Sequence, residues 1–380
     1  MGPWRPKVLA GFGFVALLSL AALYVAPRPD FAVQTLPPRL SDVEFWSLIH
    51  DVSEPGGFFR SDNFVSNETT FQHVIPDLHE RTKQDGVYIG VGPDQNFTYI
   101  AAVRPRLAFI VDIRRQNMLE HLMYKALFEL SKNRAEFLSR LFSRPLSADL
   151  SDDVEPERLF SAFNARISDA ELATQNLEAI LEHLRDHHDF SLSEEDKKTI
   201  EYIYTAFVTA GPDIRYSFPS QYGWRRFPSY SELMLQTDEK GRNHSYLASE
   251  ENFRIVRQFQ IENRIVPVVG DFAGGKALAA VGRYLKDHGA TVTAFYTSNV
   301  EFYLFQTEDW KKFLNNVAEL PADENSVFIR AYFNNYGLRF PNQSSGARSV
   351  TLLDSMPGVV SAFRDGQIHS YFDVIKRSSP

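Results

Sequence analysis

The sequence predicts an α/β fold of the Rossmann-like, doubly wound kind: a mainly parallel sheet with a helical insertion, preceded by an N-terminal membrane helix. Three observations carry that expectation. Short apolar runs at 87–91, 107–111, 265–270, 291–296 and 326–332 alternate with segments of helical period. The first and third runs end in glycine turns, at Gly90 and Gly92 and at Gly270, where sheets of this class bring their backbone close to a ligand. The 18 residues Val8–Val25 carry no charge, which is long enough to span a bilayer.

The elements follow in chain order. Arg5 and Lys7 precede Val8–Val25, and no small-residue cleavage site follows it, so residues 1–26 read as a signal anchor rather than a cleaved signal peptide. Positive charge on the amino side keeps that end in the cytoplasm. The bulk of the chain is then expected on the extracytoplasmic, periplasmic side of a membrane; a cleaved signal and export is the alternative. Residues 27–40 hold Pro27, Pro29, Pro37 and Pro38 and read as an extended linker. The folded domain is expected over 41–380. It opens with Ser41 and Glu44 spaced as a capping box. A helix is expected within 70–84, and a long amphipathic one over 117–141. Residues from about 142 to 212 read as all-helical and form the insertion. The stretch 213–230 is rich in aromatics, Pro and Gly and reads as a long loop of the kind that forms lids. Ser229 and Ser249 mark further helix starts. After the run at 265–270, helices are expected over 275–288 and 310–317, with edge strands at 350–353 and 359–363.

Composition narrows the function classes. The chain has 380 residues, 44% hydrophobic and 23% charged, values of an ordinary globular protein. Its net charge of −8 and the absence of a basic block argue against a nucleic-acid partner. With no cysteine, disulfides, thiolate metal sites and a cysteine nucleophile are excluded. Asn67, Asn96, Asn243 and Asn342 each begin an N-x-S/T sequon.

The chemistry-bearing motifs sit at the strand ends. Asp112 lies 20 residues after Gly92 at the end of an apolar run, the spacing at which a carboxylate meets ribose hydroxyls. In G-x-G-x-x-G the third glycine would stand at Gln95, which argues against a dinucleotide. Gly90, Gly92, Asp94, Gln95 and Asp112 are the candidate cofactor-binding residues; a structural turn with a capping aspartate is the plain alternative. The second turn, Gly270 to Ala277, fits G-x-x-x-x-G-K but ends in Ala where a nucleotide-binding loop needs a hydroxyl for magnesium, and Asp271 adds negative charge. Asp271 is better read as a catalytic or helix-capping carboxylate facing the cleft. Asn299 and Glu301 follow another strand and are candidate ligand contacts; equally, Ser298 or Asn299 reads as a cap of the next helix. Tyr222, Trp224 and Tyr230 are candidates to line or cover the pocket. His183 and His187 are four apart on a helix, a metal-binding spacing. No Glu follows the first His, and the polar surroundings favour a solvated helix end, so no metal is expected.

Four segments, 86–117, 228–234, 265–274 and 289–305, make the chain resemble an uncharacterised bacterial family with a class I S-adenosylmethionine-dependent methyltransferase-like fold. The resemblance implies S-adenosylmethionine as cofactor, with Gly90 and Gly92 beside its methionine part, Asp112 on its ribose and Asp271 near the methyl acceptor. Tyr88 and Asp94 depart from the methyltransferase pattern acidic-x-G-x-G-x-G. The expected function is therefore a methyltransferase-like protein that binds a small molecule and is held to the membrane by its N-terminal helix. The alternative is a non-catalytic binding or scaffold protein of the envelope; a hydrolase resting on Asp271 and Glu301 is a third reading.

Overall fold

A computed structural model describes residues 1–2, 4, 35–82, 85–147, 150–217, 227–333 and 348–379. The proposed membrane segment Val8–Val25, Tyr222, Trp224 and the sequon at Asn342 lie outside the described residues. Among the described residues no helix is long and apolar enough to cross a membrane.

The sheet is built from six strands: β1 (Val87–Gly90), β2 (Leu107–Asp112), β3 (Ile265–Val269), β4 (Val292–Ser298), β5 (Ala322–Phe333) and β6 (Ser349–Ser355). Their order is β3-β2-β1-β4-β5-β6. The first five are parallel, with Ile89 beside both Phe109 and Phe295; β6 runs antiparallel to β5. Every residue of β1, β2 and β3 is buried, the continuous apolar reading expected of parallel strands covered on both faces. The fold is thus α/β with a mostly parallel sheet, and its order is compatible with a Rossmann-like arrangement.

The chain enters through α1 (Asp42–Val52) and α2 (Ile75–Arg81). Ser41 and Glu44 form the reciprocal cap read from the sequence, which fixes where α1 starts. Between β1 and β2 lies α3 (Gln95–Val103). The crossover from β2 to β3 carries α4 (Arg115–Leu130), α5 (Arg134–Phe142), α6 (Pro156–Asn164), α7 (Ala170–Glu182), α8 (Glu194–Ala210), α9 (Tyr230–Met234) and α10 (Glu250–Ile261). The later crossovers use α11 (Ala277–Asp287), α12 (Val300–Gln306) and α13 (Trp310–Ala318), and α14 (Met356–Arg364) and α15 (Tyr371–Arg377) close the chain. Helix α10 packs on both α3 and α4, with α4 against β2 and β3, while α11 packs on α1, α13 and β2. The inserted helices pack on α4 and α5, with α8 against both, and Gln34–Pro380 forms one compact unit.

Two expectations are corrected. The single helix expected over 117–141 is two, because Ser131 leaves α4 in extended conformation and Asn133 caps α5 by accepting from the Glu136 amide. The edge strand expected at 359–363 is helix α14. Ser355 caps it, Pro357 sits in its first turn, and Met356, Val359 and Ala362 are buried at helical spacing.

Candidate ligand pocket

The carboxyl ends of β1 to β4 open into one cavity of about 360 Å³, within the range of about 300–1,000 Å³ typical of small-molecule sites. It lies where the strand order reverses between β1 and β4, the position at which open α/β sheets bind ligands. A strap following α1 closes one side. Its backbone pairs with the strand ends, Glu54 N–H to the Val269 carbonyl at 2.8 Å and Gly57 N–H to the Ile113 carbonyl at 2.7 Å, and it contributes Phe58 and Phe59 to the lining. Tyr216, Phe272, Tyr296 and Tyr303 supply further aromatic wall.

Of the residues singled out in the sequence, Gly92, Asp112, Asp271 and Asn299 line this cavity together. Gly92 has φ +76°, a conformation that disfavours any side chain, so the turn presents bare backbone to the pocket. Asp112 is buried and already engaged. Arg114 donates Nε to Oδ1 at 2.9 Å and Nη2 to Oδ2 at 2.8 Å, and the Arg114 amide donates to Oδ1 at 2.9 Å. A carboxylate offers about four acceptor positions, so Asp112 retains about one for a ligand hydroxyl. Asp271 accepts from the Ala273 amide at 2.9 Å, an Asx turn, and stays partly exposed to the cavity. It does not cap the helix that follows: α11 starts at Ala277 without a side-chain cap, and the amides of Lys276 and Ala277 go to Glu54 instead.

The remaining candidates stand elsewhere. Gly90 serves packing: a Cβ there would lie 1.9 Å from Asn96 Oδ1. Asp94 is buried and accepts from the Tyr246 hydroxyl at 3.2 Å; burial raises its pKa to about 7. Gln95 is buried and reaches the pocket only through a neighbour, donating to Glu68 Oε2 at 2.9 Å. Tyr230 is a core residue, fully buried with its hydroxyl on that of Tyr246, and does not cover the pocket. Glu301, the second residue of α12, is 2% exposed and paired with Arg330 of the interior strand β5, Nε to Oε2 at 2.5 Å. Neither Ser298 nor Asn299 caps α12 through its side chain.

Two residues carry more of the site than their sequence context suggests. Glu68 lines the cavity and is 1% exposed. Its Oε1 accepts from the Tyr296 hydroxyl at 2.8 Å and from the Ser298 hydroxyl, and no cation accompanies it in these contacts. Burial outweighs those hydrogen bonds and holds the carboxyl above its ordinary range. Ser298 has φ +52°, an unusual conformation for a non-glycine residue at a strand end. Asn96 builds the glycine turn: its Nδ2 donates to the carbonyls of Val91 and Pro93 at 2.9 and 2.7 Å, while its Oδ1 accepts from Tyr88 at 2.8 Å. It is fully buried, so the sequon it begins is a structural feature. A strand end followed by G-x-G and an Asn four residues beyond the second glycine is a signal that could have found Asn96. Glu68 lies in a loop with no such signal.

The second glycine turn is filled from within the chain. Glu54 Oε1 accepts from the amides of Lys276 and Ala277, both at 2.8 Å, and Oε2 accepts from the Asp271 amide at 3.2 Å. Lys276 Nζ donates to the Ser53 carbonyl at 2.6 Å. A side-chain carboxylate sits where a nucleotide-binding loop would cradle phosphate, in keeping with the rejection of that reading from sequence.

Among the described residues, the cavity lining carries Glu68, Asp112, Asp271 and Asp309 against one cation, Arg114, which suits a neutral or positively charged ligand. No curated protein matches the chain. The family described as a domain of unknown function (DUF7790) matches residues 63–149 and 161–351, which include every cavity-lining residue named above except Phe58 and Phe59. The chain belongs to that family.

Proposed function

We propose that this is a methyltransferase-like protein on a Rossmann-like sheet, with S-adenosylmethionine as the ligand of the pocket and the methyl acceptor a small molecule. The observation that carries the reading is the convergence of Gly92, Asp112, Asp271 and Asn299 on one cavity at the strand-order reversal. The bare backbone of Gly92 permits close approach, and the remaining acceptor position of Asp112 suits one ribose hydroxyl. The acidic, aromatic-lined cavity suits a sulfonium cation. When bound, the cofactor supplies an electrophilic methyl group. The protein's own part is alignment of an acceptor and removal of its proton. Glu68, uncharged more readily than an ordinary carboxyl and hydrogen-bonded by Ser298 and Tyr296, is the group best suited to hold that proton; Asp271 orients the acceptor. Calorimetric titration of the full chain with S-adenosylmethionine and S-adenosylhomocysteine tests the reading.

The Asp112–Arg114 pair favours a second reading, a non-catalytic binding or scaffold protein of the cell envelope, because it uses most of the acceptor capacity that a ribose would need. On this second reading, residues 1–26 anchor the chain in a membrane with its bulk on the periplasmic side. A reporter fused to the carboxyl terminus separates the two readings. Cytoplasmic placement favours the enzyme, where the cofactor is made; export favours the binding protein.

A further inference from the structure

Outside the pocket, one side-chain cluster has the composition and geometry of a metal centre. The last turn of α7 runs on into a π-helical turn, His183–His187, closed by the His188 amide on the His183 carbonyl at 3.3 Å. In a regular helix the fifth residue on points about 140° away from the first. The widened turn instead brings His183, His187 and His188 together, with ring centroids 4.7 to 5.1 Å apart. Such turns occur frequently at functional sites. Glu129, near the end of α4, faces them from the sheet side. Its Oε2 lies 2.6 Å from His183 Nε2 and 2.6 Å from His188 Nε2. One ligand atom from each of Glu129, His183, His187 and His188 falls within 4.8 Å of all the others. A tetrahedral ion with bonds of about 2.0–2.1 Å needs its ligands about 3.3 Å apart, so small side-chain adjustments suffice.

The surroundings are those of a supported site. His188 is buried, and its Nδ1 lies 2.7 Å from Asp42 Oδ1, which also accepts from Asn263 Nδ2 at 2.8 Å. A carboxylate on the far nitrogen fixes the ring and its tautomer, as the outer partners of metal-bound histidines do. Both nitrogens of His188 thus face carboxylate oxygens. Two arrangements satisfy them: a ring protonated on both sides, or a proton toward Asp42 and a metal toward Glu129. Lys125 Nζ occupies the other oxygen, Glu129 Oε1, at 2.6 Å, which leaves Oε2 as the oxygen facing the imidazoles. His187 is exposed, giving an ion a way in.

We propose that Glu129, His183, His187 and His188 bind one divalent transition-metal ion, zinc foremost, as a structural clamp between α4 and the inserted helices. Three imidazoles and a carboxylate match zinc in ligand type, and four protein ligands leave no open position for chemistry.

The test is titration of the metal-stripped full chain with Zn²⁺ and, for its visible absorption, Co²⁺. The expected result is one equivalent of Zn²⁺, a rise in the thermal midpoint, and a Co²⁺ spectrum of tetrahedral intensity. His187→Ala, at an exposed position that cannot collapse the core, and His183→Ala are expected to abolish tight binding with the circular dichroism spectrum unchanged. Asp42→Asn is expected to weaken binding by about 10–100-fold. A folded wild type that takes up no Zn²⁺, or uptake that survives both histidine substitutions, overturns the proposal and leaves a hydrogen-bonded ion cluster.

Discussion

Arg114 grips Asp112 from two residues away, its Nε and Nη2 meeting the two carboxylate oxygens at 2.9 and 2.8 Å, with both side chains more than nine-tenths buried. The pair is a structural element of the pocket wall as well as a candidate ligand contact. Removing one partner leaves an uncompensated buried charge.

Asp112→Ala and Arg114→Ala are therefore each expected to cost about 3–5 kcal/mol of stability. The double variant Asp112→Ala/Arg114→Ala is expected to lose less than the sum of the singles, by about 0.5–3 kcal/mol. Urea unfolding of wild type and the three variants measures this. Strict additivity would mean that the two groups do not act as a pair.

Asp94 sets a second expectation, in pH. Its carboxyl is raised from about 3.8 unfolded to about 7 folded, chiefly by burial. A raised folded value means that the stabilising contribution of the protonated form is complete below pH of about 4. It is lost progressively as pH climbs to about 7, after which it is flat. Asp94→Asn mimics the protonated acid. Its stability advantage over wild type is expected to grow between pH 5 and 7, to the order of a few kcal/mol, and to level off above. A constant difference across that window would show that Asp94 titrates normally.

Glu54 occupies a ready-made anion site, taking the amides of Lys276 and Ala277 at 2.8 Å. Glu54→Ala is expected to destabilise by about 1–3 kcal/mol, because three amides lose their acceptor. The vacated turn is expected to bind inorganic phosphate, so phosphate should raise the thermal midpoint of Glu54→Ala more than that of wild type at equal ionic strength. Equal responses would mean that the loop has no intrinsic affinity for phosphate.

Much of the sheet was legible in the sequence because β1 to β4 are buried on both faces and read as apolar runs between turns. The α14 region was not, since Val359 to Phe363 is as apolar as a strand and only the Ser355 cap and Pro357 reveal a helix. The same division holds in the site. Gly92, Asp112, Asp271 and Asn299 are placed by their own strands, so local rules find them. Glu68 and Phe59 arrive on the irregular segment between α1 and α2, and Tyr216 on another far along the chain, and no periodicity marks them. Tyr230 and Glu301 sit at element starts that look cleft-facing in sequence, but tertiary packing turns them inward. His188 joins His183 only through the π-helical turn, and Glu129 lies 54 residues before His183.

The measurement that tests the central claim most directly is calorimetric titration of the full chain with S-adenosylmethionine, run beside Asn299→Leu. Asn299 lines the cavity, and among the described residues its side chain has only a 3.5 Å contact from Ser298 to lose, so the substitution should leave the fold intact. The account predicts saturable one-to-one binding by wild type and at least about tenfold weaker binding by the variant, a loss of about 1.4 kcal/mol. A folded wild type that gives no heat with either S-adenosylmethionine or S-adenosylhomocysteine would contradict it.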